Sequence, residues 1–334
     1  MYEEVKDPKI MQITAKENGA PYSAIIEIIT KCNFNCEHCY IPEHTEEMPV
    51  ADVLNIVDQL YDIGVFEITL TGGEIVLHSS FMDIVRYIRK KGMSLALMSN
   101  VSMLSEKQIK EIAELHVNAV STTLFSLNER TNDIITGKKE SKDIVMQKVL
   151  LLKQYGVKVD IKVPIMQKNY EDYADISTFC EKEGIKISYS VAITARTNGD
   201  KKPLEFGLCQ EQLNHFIEEN DKNSKNKYKR YEREEDLCAA VATNIAIDVH
   251  GNVSPCNSFP YKYDNVFNNS LYDIWYILPE RQKLKEIKKG DCKQCIECSL
   301  NQICTRCPGL AYADNDNLYD CSEWDRMLAI ARSV

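Results

Sequence analysis

Three cysteines stand at C-x3-C-x2-C spacing, Cys32, Cys36 and Cys39, on a short polar loop directly behind an apolar run. Three thiolates on one tight loop make an incomplete metal site. Tetrahedral zinc needs a fourth donor, whereas a 4Fe-4S cluster on three cysteines leaves one iron open to another ligand. A structural zinc loop with a remote fourth ligand is the competing reading. Eight of the thirteen cysteines lie after residue 237: Cys238, Cys256, Cys292, Cys295, Cys298, Cys304, Cys307 and Cys321. The run Cys295, Cys298, Cys304, Cys307 has spacings x2, x5 and x2. Eight thiols suit two clusters better than one ion, although a zinc ribbon on Cys292, Cys295, Cys304 and Cys307 shares the paired C-x2-C pattern.

The stretches that must hold these residues alternate in period. Ala24 to Thr30 (AIIEIIT) reads as a buried parallel strand, and the cysteine loop follows its C-terminal end, where α/β barrels place their chemistry. Helical spacing then predicts helices over 51–63, 81–89, 105–115, 142–155 and 170–183, with Ser105 as an N-cap and Gly184 as a C-cap. Strands are predicted over 66–70, 94–98, 119–124, 157–163 and 186–193. Six β/α repeats make an α/β fold, a partial (β/α)6 TIM-like barrel open on one side, followed by a small Cys-rich domain. Residues 1–23 read as a polar, irregular N-terminal extension, 24–196 as the barrel, 197–236 as a linker or bridging region and 237–334 as the Cys-rich domain. Lys222 to Asp236 is charge-rich, a solvated helix or linker by default and otherwise a docking surface for an acidic peptide. In the C-terminal part, Asn244 to Val249 and Gly251 to Ser254 read as two strands joined at His250-Gly251-Asn252.

Several strand ends carry polar residues. Thr71-Gly72-Gly73-Glu74 ends the second strand; its glycines allow close backbone approach and its carboxylate suits an ammonium. Ser99 and Asn100 end the third strand, and Thr122 and Thr123 the fourth. Lys162 on the fifth and Arg196 beyond the sixth suit a carboxylate.

The stretch Cys32 to Tyr40 resembles the signature of the radical S-adenosylmethionine (SAM) superfamily. The resemblance implies that Cys32, Cys36 and Cys39 hold a 4Fe-4S cluster whose free iron chelates SAM, and that an electron from it yields a 5′-deoxyadenosyl radical. His38 stands where relatives usually carry an aromatic, and an imidazole still lies against adenine; Tyr40 is placed beside it as a cofactor contact. The matching GGE motif implies contact between Gly72, Gly73, Glu74 and the methionine amino group. Ser99, Asn100, Thr123 and Arg196 stand where ribose or carboxylate is held. The later cysteines are similar to the SPASM pattern, with a final inner spacing of x2 and Cys292 extra. That implies two auxiliary 4Fe-4S clusters, an inner one on Cys238, Cys256 and Cys307 and an outer one on Cys295, Cys298, Cys304 and Cys321. The fourth inner ligand is either Cys292 or an open iron. Cys180 reads as a core residue and Cys209 as a thiol of the interdomain loop.

The expected cofactors are therefore SAM and three 4Fe-4S clusters. Thr123 to Gly137 and Cys304 to Gly309 resemble peptide-modifying SPASM enzymes, which implies oxidation of a ribosomally made peptide to a thioether or carbon-carbon crosslink. The alternatives are dehydrogenation of a protein side chain, as in sulfatase maturases, or of a small molecule; a non-catalytic iron-sulfur or zinc scaffold stands outside the enzymes. Expected partners are a peptide substrate and a flavodoxin- or ferredoxin-type electron donor. With 23 residues before the first strand, the expectation is either a separate leader-binding protein or a substrate bound without its leader. Forty basic against fifty acidic residues, a formal charge of -10, argue against nucleic acid or anionic membrane as partners. No apolar stretch is long enough to span a bilayer and no signal core precedes Lys16. A reducing cytoplasm is expected, with thiols as metal ligands, in an anaerobic host.

Overall fold

A computed structural model describes residues 8–220 and 232–333. Strand β1 (Ser23–Ile29) buries Ile26, Ile28 and Ile29 completely, each contributing about 1.5–3 kcal/mol over an exposed side chain. The chain continues through α2 (Val50–Asp62), preceded by α1 (Pro8–Glu17), then β2 (Glu67–Gly72), α3 (Phe81–Lys90), β3 (Ser94–Met98) and α4 (Glu106–Glu114). Next come β4 (Ala119–Thr123), α5 (Glu129–Thr136), α6 (Ser141–Gln154), β5 (Val159–Pro164), α7 (Tyr173–Glu183) and β6 (Lys186–Ser190). All six strands run parallel in the order β6-β5-β4-β3-β2-β1. Apolar residues of α2 (Val53, Ile56, Val57, Leu60) and α3 (Ile84, Val85, Ile88) cover one face of this sheet with almost no exposure. Ser105 caps α4 through a reciprocal box with Gln108, and Gly137 and Gly184 end α5 and α7 in the left-handed conformation.

The rest of the chain forms α8 (Gln210–Asn220), α9 (Ala239–Thr243), β7 (Asn244–Ile247), β8 (Asn252–Ser254), β9 (Asp264–Asn265), α10 (Pro279–Glu286), α11 (Lys293–Glu297), α12 (Pro308–Asn315) and α13 (Glu323–Ser333). β7 pairs parallel with β1, Ser23 facing Asn244 and Ile26 facing Ile247. Antiparallel β8 and β9 follow, completing a sheet of nine strands. The Cys-rich part thus completes one edge of the barrel sheet instead of standing apart from it. Its hairpin turns where Asp248 accepts the amides of His250 and Asn252 at 2.9 Å and Gly251 takes φ +81°.

Two expectations change. Residues 1–23 are not irregular throughout: α1 occupies 8–17, and the carbonyl of Gly19 behind it accepts the indole N–H of buried Trp275 at 2.8 Å. Ile10 and Ile13 of α1 are more than half exposed, so the helix lacks the apolar stripe by which a sequence announces one. α5 is an additional helix between β4 and α6. Most of the Lys222 to Asp236 run lies outside the described residues.

Candidate active site

The cysteine loop is tied down on three sides. The amides of Asn35 and Glu37 donate to the last carbonyls of α5, Thr136 at 2.8 Å and Ile135 at 3.1 Å. On another side, Thr30 Oγ1 accepts the amides of Thr45 and Glu46. The Gly72-Gly73 corner presses on the chain just before Cys32: the amides of Gly73 and Glu74 each donate at 2.8 Å, to Ile29 and Lys31. A Cβ on Gly73 would stand 2.3 Å from the Thr30 carbonyl oxygen, and one on Gly72 2.0 Å from that of Ile29. Glycine is required at both places.

Glu74 is fully buried. Its carboxylate accepts the Ser99 hydroxyl and the Asn100 amide, both at 2.6 Å, and the Val76 amide at 3.0 Å. From there the network reaches the cysteines, since Asn100 Nδ2 donates to Asn33 at 2.9 Å and to Cys32 Sγ at 3.8 Å. Val101, next in the chain, holds φ +58°, a conformation a β-branched residue rarely takes. Burial pushes the Cys32 thiol up to about 11, against the lowering donation of the Phe34 amide. Cys36 is raised further, by burial first and then by Cys39 and Cys32. The three thiols therefore share one charge environment, and a metal centre on them must displace their protons.

Around this loop the other expected contacts are disposed differently. His38 lies edge-on to Phe125, ring centroids 5.0 Å apart, and burial lowers it to about 4, so the imidazole is neutral at physiological pH. The phenol of Tyr40 donates to Glu27, a carboxylate that burial raises. Glu27 escaped the sequence reading, although a lone charge inside AIIEIIT was its visible signal. Arg196 pairs with Asp200 at 2.7 Å, and its charge also bears on Cys39. Thr123 ends β4, whereas Thr122 turns into the core with its hydroxyl unpartnered. Lys162 lies 3.5 Å from Asp160.

A cavity of about 290 Å³ opens beside Tyr40. Arg196 and Ile193 form one wall, Trp324 and Met327 of α13 another, and Asn257 and Ser258 the floor. A second cavity of about 340 Å³, reaching Glu27, Asp248 and His250, shares Thr197, Asn257 and Pro260 with the first. No composition signal marks Asn257 or Ser258; only their place after Cys256 does.

The later thiols fall into two neighbourhoods. Burial pushes Cys256 up to about 11, and Cys238 and Cys307 add to the rise. Cys304 is pushed up to about 12 by burial, with Asp325, Cys321 and Cys295 adding; Cys321 in turn feels Cys295 and Cys298. Cys292, 1% exposed, bears on Cys295 and Arg306. Among the described residues no three His, Cys, Asp or Glu side chains converge on a point suited to a single metal ion. Cys180 is fully buried in the core and Cys209 is exposed.

The description of the radical SAM superfamily matches residues 26–182, and that of the SPASM iron-sulfur cluster-binding domain matches residues 238–308. Residues 26–182 form a domain of the radical SAM superfamily. Radical SAM proteins use SAM and a 4Fe-4S cluster, and a SPASM domain binds auxiliary iron-sulfur clusters, so these are the cofactors of this radical SAM protein. It is 27% identical over 274 residues to the antilisterial bacteriocin subtilosin biosynthesis protein AlbA of Bacillus subtilis, covering 78% of this chain and 61% of AlbA. It is 20% identical over 332 residues to the AdoMet-dependent heme synthase of Nitratidesulfovibrio vulgaris, covering 89% and 90%. Among solved structures, Streptococcus suis SuiB bound to precursor peptide SuiA superposes with TM-score 0.72 at 15% identity, over 97% of this chain and 82% of that one. Native anSMEcpe with bound AdoMet and Kp18Cys peptide gives 0.67 at 12%, over 94% and 100%. Among the described residues no helix is long and apolar enough to cross a membrane.

Proposed function

We propose that this radical SAM protein oxidises a ribosomally made peptide, forming a thioether or carbon-carbon crosslink. The observation that carries this reading is the shared cavity: Tyr40, next to Cys39, and Asn257 and Ser258, next to Cys256, wall one space. A substrate in it would touch residues that follow a loop cysteine and a cysteine of the inner group. AlbA, by its name a bacteriocin biosynthesis protein, supports a peptide as the substrate class.

Cys32, Cys36 and Cys39 would hold the SAM-binding 4Fe-4S cluster, which supplies a 5′-deoxyadenosyl radical when SAM is bound. Cys238, Cys256 and Cys307 would hold the inner auxiliary cluster and Cys295, Cys298, Cys304 and Cys321 the outer. Cys292, beside Cys295, does not favour a fourth inner ligand. The residues present fit these groups, since each set gathers thiols near enough to bear on one another electrostatically. Tyr40 and His38 would orient SAM, with Gly72 and Gly73 admitting it to the backbone, and Ser99, Asn100 and Thr123 lining its polar end. Arg196 would meet a carboxylate. For a thioether, a peptide carbon loses a hydrogen atom, a cysteine thiol loses its proton, and the joined product gives up one electron. The chain's share is to hold carbon and sulfur together and keep water out. The barrel would be residues 24–196 and the cluster unit 237–334, with β7 of the second pairing β1 of the first in one sheet. A flavodoxin- or ferredoxin-type donor, a separate leader-binding protein and a cytoplasmic setting belong to the same proposal.

The test is anaerobic incubation of the reconstituted protein with SAM and dithionite, reading 5′-deoxyadenosine, alongside iron and sulfide content. About twelve iron and twelve sulfide per chain, with deoxyadenosine release, is the expected result. No deoxyadenosine from an iron-replete protein would sink the reading.

A further inference from the structure

Arg281, in the first turn of α10, is 1% exposed, and among the described residues it has no carboxylate partner. Its guanidinium lies 3.5 Å over the Trp275 ring, Nη2 donates to the Val241 carbonyl at 3.2 Å, and Nε makes no hydrogen bond. Burying an uncompensated cation costs several kcal/mol, so this one calls for an anion. Tyr263, 7% exposed, has a phenolic hydroxyl with no partner. The two side chains interact electrostatically with each other, and the Cys238 and Cys256 thiols bear on the same phenol. Val241 lies in α9, the helix that begins directly after Cys238, so the bare cation is tied to the chain three residues from one cysteine of the inner group, and the bare hydrogen-bond donor lies within electrostatic reach of two. Around the outer group Arg306 bears on Cys292, Cys295 and Cys321, with buried Asp325 acting on Cys304 and Cys321; Asp325 also accepts the amide of the inner group's Cys307 at 2.8 Å, so an anion reaches that group at Cys307.

We propose that Arg281 and Tyr263 are the counter-charge and the hydrogen-bond donor of the inner auxiliary cluster and raise its reduction potential. This rests on the reading that Cys238, Cys256 and Cys307 ligate that cluster. Net charge nearby and hydrogen bonds to cluster sulfur set such potentials. Both groups favour the reduced, more negative state, and a cluster so poised accepts the electron a product radical must lose. Arg281 and Tyr263 are positioning residues for that electron, and neither lines the substrate cavity described above.

The experiment uses the full chain carrying Cys32→Ala, Cys36→Ala and Cys39→Ala, which leaves only the auxiliary clusters, and follows their reduction by electron paramagnetic resonance at a series of poised potentials. No substrate is present, so failure of the peptide chemistry does not touch the result. Arg281→Met should lower the reduced-to-oxidised ratio of one cluster at fixed potential about tenfold, 59 mV for one electron. Tyr263→Phe should lower it roughly threefold, and the other cluster should stay where it was. If Arg281→Met does not fold, the near-isosteric Tyr263→Phe decides alone. Unmoved potentials in iron-replete Tyr263→Phe overturn the proposal. A parent chain without auxiliary iron overturns the ligand reading and the proposal with it.

Discussion

Glu74 is the residue whose role changes most on seeing the structure. The motif suggested a direct contact with an ammonium; within the chain the carboxylate is enclosed and spans from the end of β2 to Ser99 and Asn100. Glu74→Ala leaves those two donors and the Val76 amide without acceptors, at about 1–3 kcal/mol each. We expect a clear fall in the urea midpoint and loss of iron from the loop site; an unfolding curve superimposable on that of the parent would refute the brace. Cys36→Ala should abolish deoxyadenosine formation, and normal turnover would refute its role as a ligand. Glu47 gives a pH test. Its carboxylate accepts Ser79 and Lys31 and is held down to about 2, so its folded pKa lies below its unfolded one. The stability it contributes is present above about pH 4.5 and is lost as pH falls toward 2. In Glu47→Gln the loss of urea resistance between pH 5 and pH 3 should be smaller than in the parent; an equal loss would show that Glu47 does not carry it.

At the scale of elements, the corner after β2 and the end of α5 together shape the cysteine loop. Gly73→Ala forces a methyl into the carbonyls of Thr30 and Lys31, at 2.3 and 2.4 Å, and backbone cannot yield as a side chain would. The loop must shift, so iron should fall from about twelve to about eight per chain while the auxiliary clusters persist; full iron content would show that the corner does not shape the loop. The order of the barrel elements was legible because the first strands are short apolar runs, the later ones carry β-branched or aromatic residues, and the helices between them have periodic burial. The strand over 94–98 and the Ser105 cap stand where pattern and capping chemistry put them. α1 and α5 were not legible as helices, α1 because its apolar residues are split between a half-buried face (Met11, Ala15) and an exposed one (Ile10, Ile13) and so form no single stripe, and α5 because its short run mixes caps and polar residues that suit a turn equally well.

For the whole molecule, the consequential contact is between β1 and β7, which carries Cys256 to the barrel mouth. One cavity is then lined by Tyr40, which follows Cys39, and by Asn257 and Ser258, which follow Cys256. Cys256→Ser should spare deoxyadenosine release yet block formation of the oxidised product, as read by mass spectrometry of the peptide. Product at the parental rate would take the inner group out of the electron path. Hydrophobic pattern could not foretell this pairing, because a strand's sequence records how buried it is and not which neighbour buries it.

The sequence by itself determined the chemistry: cysteine spacing, the Gly-Gly-Glu corner and the six-fold alternation are local, and the physics that links them to thiolate clusters and parallel strands is local too. Only the tertiary structure decided which thiols bear on one another, that Glu74 is enclosed, that Glu27 accepts Tyr40, and that Arg281 and Tyr263 are buried with polar atoms unpartnered. Those facts depend on contacts between residues far apart in the chain, where burial and charge are set by the partner and not by the residue's own type.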